Sequence, residues 1–165
     1  LWAIINAGSN SKLASGICDV QKMSNMGINL AVGTDGPSSN NALDMFREMY
    51  LISVLQKLKY NDAAAMDANE ILKAATSGSA KCMGLTDCDC IAEGKLADLM
   101  IIDLERPNMQ PINNITKNLV YSGSKDDVKM TMINGKILYE NGEFVNIDKE
   151  EIYAKAQEIC NRLKN

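Results

Sequence analysis

Apolar residues recur along this chain in two rhythms, helical in the first half and mostly alternating in the second. Over 13–26, Leu13, Ile17, Val20 and Met23 fall at helical spacing, and Gly27 is placed to close the helix. Before it, 2–6 fits a strand; after it, 28–32 (Ile-Asn-Leu-Ala-Val) predicts a short buried strand running into Gly33-Thr34-Asp35-Gly36. The polar run Pro37-Ser38-Ser39-Asn40-Asn41 supplies N-caps for a following helix. On that helix Leu43, Phe46, Met49, Ile52, Val54, Leu55 and Leu58 form one broad face suited to packing on a sheet. Asp67 and Glu70 make a capping box for a further helix through Ala75, ending near Gly84.

The second rhythm begins beyond 84–94. Residues 97–103 read as a strand, followed by a loop over 106–111. Strands over 128–133 and 136–139 flank Asn134-Gly135, whose residue types suit the positive φ angles of a type I′ hairpin turn. Glu140-Asn141-Gly142 turns the chain again before 143–145, and a last helix from Asp148 carries Ile152, Ala156, Ile159 and Leu163 on one stripe. The expected fold class is α/β, with an α/β part over 1–83 and a mainly β part over 84–165.

Composition narrows the functions this pattern can serve. The chain has 165 residues, 46% hydrophobic and 23% charged, as in ordinary globular domains. Its net charge is −4, with seven basic and seven acidic side chains over 1–83 and ten against fourteen over 84–165. That balance argues against a basic nucleic-acid footprint, and no apolar run approaches a membrane span. No nucleic-acid or membrane partner is expected. The absence of histidine matters more. It excludes Ser–His and Cys–His nucleophile pairs and any imidazole ligand within this chain. Five scattered cysteines and ten methionines fit a reducing cytoplasm. The chain opens at Leu1, as a piece of a longer polypeptide would.

Asp35 is the sharpest candidate for chemistry. It stands at the carboxyl end of an apolar strand, the edge where parallel α/β folds build their sites. A carboxylate there can bind a divalent cation and accept a proton from water; it could equally cap the next helix or sit in an Asp-Gly turn. The polar cluster Ser9-Asn10-Ser11-Lys12 would share that rim, or simply cap its own helix. Cys88-Asp89-Cys90, with Cys82 before it, has the residue types of a metal site, but the remaining thiols are remote in sequence. Ordinary thiols beside a turn are the simpler reading.

Residues 9–16 (Ser-Asn-Ser-Lys-Leu-Ala-Ser-Gly) and Gly33-Thr34-Asp35-Gly36 with Ser39-Asn40-Asn41 resemble the end of an amidohydrolase-superfamily barrel. Residues 43–49 (Leu-Asp-Met-Phe-Arg-Glu-Met) and 94–99 (Gly-Lys-Leu-Ala-Asp-Leu) extend the likeness, which is closest to the branch of 5-methylthioadenosine/S-adenosylhomocysteine deaminases and chlorohydrolases. The resemblance implies a metal-dependent (β/α)₈ barrel with a small composite β-sandwich. Residues 1–83 would then be its last two β/α units, and 84–165 the C-terminal part of the sandwich with a terminal helix. It further implies hydrolytic deamination of an adenosine-like or related heterocycle by metal-activated water, with zinc or iron as the divalent metal. Asp35 matches the aspartate that binds the metal and moves the proton; Ser9, Asn10, Thr34, Ser39 and Asn40 would shape the site. Where such enzymes commonly read His-Asn-Pro, this chain reads Ile5-Asn6-Ala7, and it carries none of their upstream histidines. One Asp is too few ligands for a catalytic metal, so the chain alone is expected to be inactive and to bind none. The alternatives are a non-catalytic remnant serving assembly, and a chlorohydrolase or guanine-type deaminase. Its expected partners are a small-molecule substrate and either further copies of itself or the missing N-terminal portion.

Overall fold

The computed structural model describes residues 1–164, which form two compact units. The first comprises Leu1–Lys95 and Asp103–Asp127; the second comprises Leu96–Ile102 and the chain from Val128 onward.

The first unit is built on two parallel strands, β1 (Trp2–Ile5) and β2 (Asn29–Val32), in register from Trp2 opposite Asn29 to Ile5 opposite Val32. Parallel neighbours need a crossover, and residues 6–28 provide it through two short helices, α1 (Ala7–Lys12) and α2 (Val20–Asn25). Here the structure departs from the single helix predicted over 13–26. Ala14 (φ 54°) and Gly16 (φ 96°) take left-handed conformations that end helical winding. Side chains from a later helix then take the freed carbonyls, Gln56 Nε2 bonding Cys18 O at 2.8 Å and Lys59 Nζ bonding Ile17 O at 3.3 Å. Asp19 restarts the helix as its N-cap, and Gly27 closes it as predicted. Of the apolar stripe, Val20 is buried while Leu13 and Ile17 are exposed.

After β2 come a single-turn helix, α3 (Pro37–Asn40), and the long α4 (Met45–Tyr60), whose N-cap is Asp44. The buried face of α4 is not the purely apolar one predicted. Phe46, Met49 and Ile52 are inside, but so are Glu48, Ser53 and Gln56, whereas Leu43 and Leu58 are exposed. Each of the three buried polar side chains has a hydrogen-bond partner, which offsets the cost of taking it out of water. Asp67 is the N-cap as predicted, accepting from Asn69 N, but the reciprocal half of the capping box is not made, since Glu70 accepts from Ser24 Oγ at 3.3 Å. The helix runs as α5 (Ala68–Lys73), a π-helical turn (Ala74–Gly78) and α6 (Ser79–Cys82). Ala68 and Ile71 are fully buried, and a side chain the size of Ile71 contributes about 1.5–3 kcal/mol by leaving water. Helix α7 (Ile115–Tyr121) belongs to this unit too, its Tyr121 hydroxyl 3.0 Å from Ser53 Oγ.

The second unit is an antiparallel sheet of β3 (Leu99–Ile102), β4 (Val128–Ile133), β5 (Lys136–Glu140) and β6 (Glu143–Phe144), in that order. Asn134 and Gly135 have φ angles of 49° and 74°, the positive values expected of this tight hairpin turn. Tyr139 and Phe144 pair across strands with ring centroids 5.2 Å apart. Met130 is buried, while Met100, Ile101, Ile133 and Phe144 remain exposed. The terminal helix α8 (Lys149–Leu163), capped by Asp148, buries none of its residues.

Candidate active site

The carboxyl ends of β1 and β2 open into two loops that meet. From β1, Asn6 leads into α1, which carries Gly8, Ser9 and Lys12; from β2, Gly33 and Thr34 lead to Asp35. Asp35 is left-handed at φ 58°, a conformation Asp tolerates better than most residues, and its carboxyl folds back onto the next peptide. Gly36 N–H donates to Oδ1 at 2.8 Å. Two hydroxyls donate to Oδ2, Ser9 at 2.7 Å and Ser39 at 2.8 Å. These bonds, the Ser9 hydroxyl first, then Ser39 and the Gly36 amide, hold the Asp35 carboxyl below the usual aspartate range by favouring its charged form.

Beneath this cradle lies a second, buried one. Glu48 reaches up from α4 with no solvent exposure; its Oε2 accepts Gly8 N–H at 2.8 Å and its Oε1 accepts Asn40 Nδ2 at 2.7 Å. Asn40 Nδ2 also donates to Thr34 O at 2.6 Å. Turning that amide over would set Oδ1 against two acceptors, so Nδ2 stays inward although Oδ1 has no partner. A buried acceptor left so costs about 1–3 kcal/mol, a measure of how strongly the two donor bonds are preferred. A side chain at Gly8 would force a shift here, because a Cβ there would stand 2.3 Å from Glu48 Oε1. At the outer rim Lys12 Nζ bonds Ser38 O at 2.8 Å and Asn41 Oδ1 at 2.5 Å, tying the loops once more.

Of the residues singled out from the sequence, Ser9 and Ser39 touch the Asp35 carboxyl, Thr34 Oγ1 bonds the Asp35 carbonyl at 3.2 Å, and Asn40 supports the loop from below. Asn10 is not brought to Asp35; it lines a small pocket with Ile5, Ile17, Val20 and Ile52. Lys12, of the polar cluster 9–12, reaches the rim beside Asp35 through Ser38 and Asn41, whereas Glu48 and Gly8 have site-building contacts that their sequence context did not single out. At the other sequence candidate, Asp89 pairs with Lys95 (2.8 Å) and Lys81 (3.4 Å), and among the described residues no cysteine is disulfide-bonded. Among the described residues no group of three Cys, Asp or Glu side chains could hold a metal, there or elsewhere. No helix among them is long and apolar enough to cross a membrane.

The model of the amidohydrolase family matches residues 4–138. The chain belongs to that family. This amidohydrolase chain is 40% identical over 163 residues to a 5-methylthioadenosine/S-adenosylhomocysteine deaminase of Clostridium tetani, covering 98% of itself and 38% of that protein. It is 45% identical over 147 residues to the enzyme of the same name from Pyrococcus furiosus, covering 89% of itself and 35% of that protein. Among solved structures it resembles an adenosine deaminase from Xanthomonas campestris with bound zinc, at a TM-score of 0.95 and 36% identity over 99% of this chain and 37% of that one. An atrazine chlorohydrolase from Arthrobacter aurescens shares the fold at a TM-score of 0.86 and 24% identity, over 94% of this chain and 35% of that one. The amidohydrolase chain therefore spans well under half the length of the relatives it matches.

Proposed function

We propose that this chain forms the C-terminal portion of a metal-dependent hydrolase that deaminates an adenosine-like nucleoside or related amino-heterocycle, with Asp35 as its contribution to the reacting centre. The observation that carries this reading is the Asp35 carboxyl itself: three donors fix it at the mouth of two strand ends, and Oδ1, bonded only by Gly36 N–H, keeps acceptor capacity. Relatives named for deaminating 5-methylthioadenosine and S-adenosylhomocysteine, and a zinc-containing adenosine deaminase, support the substrate class and the metal. Asp35 fits such a metal as one oxygen donor, and the remaining ligands lie outside this chain. A divalent cation, zinc or iron, supplies activation of water when bound. The Ser9 and Ser39 hydroxyls keep Asp35 charged near neutral pH, which suits it to hold the cation; the same bonds make it a weaker base than a free aspartate, so a proton taken up at Oδ1 is readily passed on toward the leaving amine.

Under this reading residues 1–83 supply the last two units of a (β/α)₈ barrel and 84–165 the C-terminal part of a β-sandwich. The exposed Met100, Ile101, Ile133 and Phe144 and the unburied α8 are then surfaces that upstream chain covers.

The test is Asp35→Asn in the full-length protein, assayed for ammonia release from adenosine, 5-methylthioadenosine and S-adenosylhomocysteine. Turnover should fall about 10²–10⁴-fold, the usual contribution of a positioned proton-transfer group. Turnover close to wild type would remove Asp35 from the mechanism.

A further inference from the structure

The Asp35 cradle and the buried one beneath it are in chain register. Ser9, Asp35 and Ser39 form the upper set, and their sequence neighbours Gly8, Thr34 and Asn40 form the lower. Glu48 enters this lower set from α4, and its two oxygens bond one partner each, Gly8 of α1 and Asn40 of α3. The loops are 26 residues apart where Ser9 meets Asp35, and Gly8 lies 40 residues from Glu48. Their spacing is thus set by tertiary contacts. The geometry points to Glu48 as a positioning residue for Asp35: from the floor of the site it bonds Gly8 of α1, which follows β1, and Asn40 of α3, which follows β2, setting the spacing at which the Ser9 hydroxyl meets the Asp35 carboxyl. This rests on reading Asp35 as the reacting carboxylate.

The chemistry of the position needs a double acceptor. Gly8 N–H and the Asn40 amide are both donors, so a carboxyl can bond both at once. A Gln of the same volume offers one acceptor and one donor, and its NH₂ must face either Gly8 N–H or Asn40 Nδ2. The lost bond releases one loop from the floor while the packing volume stays. Because Gly8 N–H bonds Glu48 directly and a Cβ at Gly8 would meet this pair at 2.3–2.9 Å, a shift of the Glu48 carboxyl is passed into α1 and to Ser9.

Glu48→Gln in the full-length protein tests this, with kcat and KM measured per bound zinc and the thermal midpoint followed in parallel. The expected result is a kcat about 10- to 100-fold lower with KM changed less than about threefold, since a misplacement near 1 Å is worth up to about 10²-fold in rate. Asn40→Ser, which removes the amide partner and leaves Glu48 in place, should lower kcat by the same order, and the double variant should be no worse than the poorer single one, as for residues acting through one linkage. A crystal structure of the Gln variant gives a readout independent of turnover: the Ser9 Oγ to Asp35 Oδ2 separation should open past about 3.5 Å, beyond hydrogen bonding. Wild-type kcat in the folded Gln variant, multiplicative losses in the double variant, or an unchanged Ser9–Asp35 bond each overturns the assignment. Should Glu48→Gln fail to fold, wild-type kcat in Asn40→Ser overturns it alone. Asp35→Asn is the control. If it stays active, the reading of Asp35 has failed and the Glu48 assignment with it; if it is inactive while Glu48→Gln keeps full turnover, the failure belongs to Glu48.

Discussion

Asp35 gains its character from three short bonds rather than from burial, and the Ser9 hydroxyl is the largest single cause of the depression of its pKa. In metal-free protein, Ser9→Ala should therefore move the Asp35 titration midpoint upward, toward the ordinary aspartate value of 3.8, as followed by ¹³C resonance of the side-chain carboxyl. An unmoved midpoint would mean that the hydroxyl does not stabilise the charged form. Gly8→Ala drives a methyl into Glu48 Oε1, 2.3 Å away, and should cost about 1–3 kcal/mol of stability, seen as a lower thermal midpoint. Asp35, Ser9 and Ser39 were legible in the sequence because small polar residues gather after apolar strand segments, where capping and chemistry both occur. Glu48 was not. A carboxylic acid in a helical run such as Met45-Phe46-Arg47-Glu48-Met49 looks like a solvent-facing position, and only the two donors arriving from distant loops make its burial tolerable.

At the scale of elements, strands and hairpins were read well and helix ends less so. Local chemistry decides an Asn-Gly turn, whereas residues 13–19 lose their helix to carbonyl partners that lie about 40 residues further on. Gln56→Ala should expose this dependence: it leaves Cys18 O without its partner, costs about 1–3 kcal/mol, and should raise hydrogen exchange over 17–21 before the strands are affected. Acid is expected to loosen the loop between α6 and β3. Asp89 is held below 3.8 chiefly by its bond to Lys95 and then by Lys81, so its contribution is complete above that value and fades as pH falls through the lowered one. Lys95, raised above 10.5 by the same bond, keeps its contribution up to that value and loses it as pH climbs through the raised one. Asp89→Asn should speed limited proteolysis within 86–94 near neutral pH; equal cleavage rates in both proteins would show that the pair does not restrain the loop. The membership of residues 103–127 in the first unit had no counterpart in the periodic pattern, because its buried anchors, Met109 and Val120, are single residues in a polar stretch.

For the molecule as a whole, one carboxylate donor is too little to retain a catalytic metal, which takes about three protein ligands. The 165-residue chain, dialysed after exposure to zinc, should keep no stoichiometric metal by atomic absorption and show no deaminase activity; stoichiometric retention would reveal ligands that the geometry does not contain. The order in which the backbone visits the two units has a different kind of consequence. It leaves the first unit at Leu96, returns at Asp103 and leaves again at Val128. Three crossings mean that no single cut sorts the units into separate pieces: a nick near 95 leaves Asp103–Asp127 on the fragment that also holds the sheet. Neither unit can therefore be moved to another protein as one uninterrupted stretch of coding sequence.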